Sequence, residues 1–270
     1  MTQHLGCDCH IHIYDIPSYP LEQTSPVSPP QASWSDYVRL QKAMNLGRAV
    51  IVQPTGYAFD NRCTLDALAR SAGTARAIVT LPVDTSAAVF SDLDKLGVRG
   101  VRFMMVPGAP QVMQWKDLLP MAHHIAPHDW TINLQLDGRD LPAYESSILS
   151  LPCKVVIDHV GKFLDPVDLA HPGFKSLCNL LDSGRVWVKL SAPYETSKLG
   201  PPGFEDVGRL ARELAHRYPQ RCLWASNWPH PGQHNRPNEA NLLNLLTEWV
   251  ANDRDAQDIL VNNPAQLYRF

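Results

Sequence analysis

No CxxC pair occurs among the six cysteines (Cys7, Cys9, Cys63, Cys153, Cys178 and Cys222), which are scattered through apolar runs. Disulfide frameworks belong to short secreted chains, so buried, reduced thiols are the expectation. No apolar stretch approaches the roughly 18 residues of a membrane span. The opening MTQHLGCDCHIHIYD has neither the basic nor the apolar region of a leader, so a soluble cytoplasmic protein without a membrane partner is expected. Charge of one sign is also lacking: the 270 residues carry a net charge of −3 with no long acidic or basic run. Nucleic acid is therefore not the expected partner, and a small molecule is. Neither GxGxxG after a first strand nor a Walker lysine loop is present, which removes the common nucleotide-binding signatures.

What the chain does have is a repeated rhythm. Eight short apolar runs recur: LGCDCHIHI, GRAVIVQ, ARAIVTLPV, GVRGVRFMM, WTINLQL, CKVVIDH, RVWVKL and RCLWAS. Helix-length segments such as Trp34–Leu46, Ala87–Leu96 and Gly203–Tyr218 separate them. Alternation at this pace implies βαβ units and a parallel sheet. Eight units in a chain of this length predict a single (β/α)8 TIM barrel over residues 1–270, with an open doubly wound sheet as the alternative. Residues 17–30, PSYPLEQTSPVSPP, carry five prolines and suit neither helix nor central strand. They read as a long loop after the first strand, on the face where barrels bind substrate.

Strand ends in a barrel converge on one mouth, so the polar residues there can be assembled in advance. The first strand ends in His10 and His12, which alternation points to the same side. The fourth carries Arg102, and the fifth carries Asn133 and Gln135 on one face. The sixth ends in Asp158 and His159, the seventh in Lys189 and Ser191, and the eighth in Asn227. Together they make a polar ring with three imidazoles and a fixed cation. His123 and His124 lie in a helical segment and read as surface or interhelix residues, and the closing NNPAQLYRF reads as packing.

The motifs DCHIHIYD, VIDHVGK and WASNWPHP, in that order, resemble the amidohydrolase superfamily, in its branch of sugar-acid and pyrone lactonases. The likeness runs from Cys7 to the closing segment. It implies a (β/α)8 barrel in which metal-using members hold divalent ions with the HxH pair, later histidines and an aspartate after the eighth strand. Here Arg102, Gln135 and Asn227 stand where such ligands are expected, and only His10, His12 and His159 remain. The resemblance therefore implies a metal-independent site with no cofactor; zinc on the three imidazoles is the alternative.

It also implies an acidic lactone as substrate, with His10, His12, His159 and Asn227 as the catalytic set. Asn227 does not titrate and cannot activate water as an aspartate would. One reading is isomerisation, galactaro-1,5-lactone to 1,4-lactone in type, in which a substrate hydroxyl attacks and an imidazole relays the proton. A lactone hydrolase with Asn227 as a base replacement is a second reading, and a non-catalytic sugar-acid binding protein a third. Arg102 is expected to grip the carboxylate. Gln53, Asn133, Gln135, Ser191, Tyr194 and His230 are expected to contact the remainder of the substrate. The number of subunits is left open.

Overall fold

The computed structural model describes residues 5–22, 29–109 and 112–270. Strands and helices alternate: β1 (Cys7–Ile11), α1 (Trp34–Ala43), β2 (Arg48–Val52), α2 (Arg62–Arg70), β3 (Ala75–Val79), α3 (Ala87–Leu96). There follow β4 (Val98–Met104), α4 (Leu118–Ile125), β5 (Thr131–Gln135), α5 (Leu141–Leu149), β6 (Lys154–Ile157) and α6 (Pro172–Asp182). The last units are β7 (Val186–Ser191), α7 (Glu205–Arg217), β8 (Cys222–Ala225), α8 (Glu239–Trp249), α9 (Asp253–Gln257) and α10 (Asn263–Tyr268). The strands are parallel and lie in chain order from β1 to β8. All eight apolar runs are strands, and the architecture is the expected (β/α)8 barrel.

Both faces of each strand are buried, which is why the strands read as near-continuous apolar runs. Val50, Val52, Ile78, Val156 and Leu223 fill the barrel interior, and Ile51, Val101, Phe103 and Leu134 pack in the larger cluster under the helices. Leu267 and Tyr268 join the interior cluster, and Arg76 and Arg99 both donate to the Tyr268 carbonyl at 3.2 Å. The closing segment thus packs against the barrel, as expected. Leu21 and Pro29 of the proline-rich loop reach the mouth; residues 23–28 of that loop lie outside the described residues.

One irregularity aims the site. Cys7 and Cys9 belong to the interior cluster, so strict alternation would turn His10 outward. The β1–β2 register shifts by one residue between Asp8 and Ile11, and this bulge lets Cys9 and His10 both face inward. The seam between β8 and β1 is closed just past the strand end, where the Asn227 amide donates to the His10 carbonyl (3.0 Å) and the His12 amide to the Trp228 carbonyl (2.7 Å).

Asp8 reinforces that seam, accepting from the Ser226 amide (2.9 Å) and hydroxyl (2.5 Å). Burial raises its carboxyl to about 6 in spite of those bonds. A carboxyl raised in the folded state favours folding below its unfolded value and loses that contribution as pH climbs through about 6. Between pH 4 and 7 the wild type should therefore lose roughly 2–3 kcal/mol of stability that Asp8→Asn retains. Urea denaturation across that range checks this, and parallel curves for the two proteins would remove Asp8 as the cause.

Candidate active site

A cleft of about 330 Å³ opens at the C-terminal ends of the strands. His12 and Tyr14 come from β1 and its loop, Arg102 from β4 and Gln135 from β5. The turn after β6 adds His159 and Lys162, and the loops after β7 and β8 add Glu195 and Asn227.

The β6 turn is unusual. His159, Val160, Gly161 and Lys162 have φ of 53°, 56°, 85° and 43°, a left-handed run that costs energy for every non-glycine member. It is held by backbone contact with its neighbours. A Cβ at Gly138 would lie 2.5 Å from the Gly161 carbonyl, and one at Gly173 would lie 2.3 Å from the Gly138 carbonyl. The loops after β5 and β6 and the start of α6 can cross there only because these positions are glycine.

Beneath the cleft runs a directed chain of hydrogen bonds. Val52 O can only accept, so His12 Nδ1 carries the hydrogen of their 2.7 Å bond. Burial, with Arg102 nearby, pushes His12 down to about 3, so the ring is neutral and its Nε2 accepts. The 3.2 Å contact between the two Nε2 atoms is then a donation from His10 to His12. His10 Nδ1 in turn accepts from Lys189 Nζ at 3.0 Å. Burial, then Lys189, holds His10 well below the ordinary histidine range. Lys189 also pairs with Asp158 at 3.0 Å, both side chains being fully buried. His159 is lowered by burial too, and its Nδ1 meets the Ser191 hydroxyl at 2.8 Å, which leaves Nε2 for the cleft.

At the opposite wall, Asn227 Nδ2 donates to Tyr194 OH and to Glu195 Oε1, each at 3.0 Å. Glu195 Oε2 accepts from Lys162 Nζ in a short ion pair. Asp158 is the carboxylate that the sequence reading puts at the mouth; Glu195 is a second one, which it does not single out. Glu195 and Lys162 sit in loops where no alternation fixes direction, although the lysine closes the motif VIDHVGK.

Several expected substrate contacts face elsewhere. Gln53 donates to the Asp60 carbonyl (2.8 Å) and accepts from Thr64 (2.6 Å), so its amide holds the β2–α2 loop instead of lining the cleft. Asn133 is buried one side-chain layer below Gln135 and accepts from Thr131 at 3.2 Å. Tyr194 donates to His230 Nδ1 at 2.7 Å, because His230 Nε2 already donates to Glu239 at 3.2 Å. Ser191, Tyr194 and His230 therefore stand behind His159 and Asn227. Arg102 and Gln135 do line the cleft, joined by a 3.0 Å bond from Nη2 to Oε1. His123 and His124 are exposed on α4.

His10, Asp158 and His159 offer ligand atoms within 4.8 Å of one another, so they are the natural test for a metal. The set fits a divalent cation badly. Lys189 Nζ lies 3.0 Å from both the imidazole and the carboxylate, and Arg102 adds a second buried cation. Binding through both Nε2 lone pairs of the HxH histidines would also require His10 to give up the Nε2 proton that the lysine imposes.

A parallel eight-stranded barrel with a charged, histidine-lined cleft at the C-terminal mouth defines a barrel enzyme. The chain belongs to the amidohydrolase family, whose pattern matches residues 7–270. It is an enzyme, and the reading as a mere binding protein falls away. The chain is 31% identical to the 4-sulfomuconolactone hydrolase of Hydrogenophaga intermedia, covering 97% of this chain and 88% of that one. It is 30% identical to the D-galactarolactone isomerase of Agrobacterium fabrum, over 97% and 90% respectively. A crystal structure of an Agrobacterium tumefaciens protein superposes with a TM-score of 0.91 at 28% identity, covering 99% of this chain and 96% of that one. Among the described residues no helix is long and apolar enough to cross a membrane.

Proposed function

We propose that the protein isomerises the lactone of a sugar diacid without a metal ion, one ring being exchanged for another by attack of a substrate hydroxyl on the lactone carbonyl. The observation that carries this reading is Asn227, a carboxamide that donates to Glu195 and Tyr194 and cannot itself take a proton from water. A well-oriented intramolecular hydroxyl has an effective concentration of roughly 10⁵ M or more, so no strongly activated water is needed. With its Nδ1 accepting from the Ser191 hydroxyl, His159 carries its hydrogen on Nε2 and donates it to the carbonyl oxygen as negative charge develops there. Arg102 receives the free carboxylate. The cations around the HxH pair support metal independence, and the isomerase among the relatives supports the substrate class.

Hydrolysis is the second reading. It is favoured by the Glu195 carboxylate in the cleft and by the hydrolase among the relatives.

The test uses protein treated with chelator and checked by elemental analysis, mixed with fresh galactaro-1,5-lactone and followed by carbon NMR. The 1,4-lactone should accumulate before the open diacid, and Asn227→Asp should raise the share of diacid. Direct formation of diacid by the wild type, or activity only after zinc is added, would overturn the reading.

A further inference from the structure

Isomerisation moves one proton from the attacking oxygen to the departing one, and the two HxH histidines are poorly placed to carry it, while His159 turns its Nε2 to the cleft for the carbonyl oxygen. The His12 Nε2 lone pair is taken by His10, and the His10 Nδ1 lone pair by Lys189. Burial and the neighbouring cations keep both rings neutral well below the ordinary histidine range.

Glu195 is differently situated. It stands on the turn Pro193–Glu195 in the cleft wall, with its side chain 15% exposed. Donors from two directions, Asn227 on the β8 side and Lys162 on the β6 side, each engage one oxygen and fix the plane of the carboxylate. Every carboxylate oxygen has two lone pairs, so each retains one to offer into the cleft.

We propose that Glu195 is the proton-transfer residue of this site. The assignment rests on the lactone-isomerising reading and completes it. The substrate hydroxyl gives its proton to Glu195 as its oxygen bonds to the lactone carbon, forming a tetrahedral oxyanion. When the original ring C–O bond breaks, the same proton passes from Glu195 to the departing oxygen. No water is consumed, and the enzyme ends in the state in which it began. Attacking and departing oxygens on adjacent carbons lie close enough for one carboxylate to serve both, and Asn227 holds that carboxylate where an acid would repel it.

Glu195→Gln, Glu195→Asp and Glu195→Ala test the assignment on the chelated enzyme. For Glu195→Gln, kcat should fall roughly 10²–10⁴-fold with KM changed only a few-fold. Glu195→Asp should recover part of the loss. Added formate should speed Glu195→Ala at least about tenfold where chloride at equal ionic strength does not, a response that a positional role would not give. A Glu195→Gln enzyme as fast as wild type would overturn the assignment, and so would a slow Glu195→Ala enzyme that neither formate nor the aspartate variant restores. If the wild type yields open diacid while Glu195→Gln remains slow, the isomerase reading and its hydroxyl-to-oxygen transfer fail, and Glu195 is left as the proton-transfer residue of a hydrolase. A wild type inert toward acidic lactones would overturn both.

Discussion

With Arg102 replaced by methionine, KM for a carboxylate-bearing lactone should rise roughly 10²–10³-fold, while kcat/KM for an uncharged lactone of the same ring size changes less than about tenfold. The guanidinium is buried, yet its partners are neutral: it donates to the Gln53 carbonyl at 2.7 Å and to Gln135 at 3.0 Å. Its Nε–H has no partner, and among the described residues no carboxylate lies within 4.0 Å of it. A buried cation in that condition is costly to the free protein and is relieved by an anion that can be gripped at two points. Methionine keeps the length and apolar body of the side chain, and the variant should fold at least as stably as the parent. Equal losses on charged and uncharged lactones would show that Arg102 only holds the β2–α2 loop through Gln53.

Lys189→Met should be the most destabilising single change in the site, costing about 3–5 kcal/mol at neutral pH. Burial pushes the Asp158 carboxyl up, and Lys189, with His159 and Arg102 behind it, holds it below the ordinary carboxylate range. Its contribution in the wild type is present above the unfolded carboxylate value and is lost as pH falls through the folded one. Without the lysine, Asp158 is a buried carboxylate with no well-directed hydrogen bond and must take up a proton to fold. The gap between the two proteins should narrow toward pH 4, and the double variant Lys189→Met/Asp158→Asn should regain much of the loss. Urea denaturation at several pH values measures this. A gap under about 1 kcal/mol, or one independent of pH, would show that Lys189 and Asp158 are not coupled in this way.

The barrel was legible because a strand buried on both faces leaves an apolar run, and eight such runs were visible. The site was legible where side chains sit on a strand or directly at its end. Arg102, Gln135 and His12 face the cleft as period-two reading expects. Asn133 shows the limit of that reading, since the pattern fixes the face of a residue but not its height in the barrel. Gln53 follows inward-facing Val50 and Val52, so alternation itself turns it away from the cleft toward the β2–α2 loop. His10 faces inward by way of a bulge that composition does not announce. Glu195 and Lys162 are positioned by irregular turns, and only the crossing of three glycines shows how the lysine's turn is held.

The guanidinium without a carboxylate partner also bears on the resting enzyme. Among the described residues around the cleft, Arg102, Lys162 and Lys189 face Asp158 and Glu195, which leaves one positive charge in excess where the dielectric is low. Small oxyanions in the medium will compete for that place. Phosphate, acetate and citrate should act as competitive inhibitors, so the same preparation will give a higher apparent KM in phosphate than in a cationic buffer at equal ionic strength. For this protein the choice of buffer is part of the chemistry being measured.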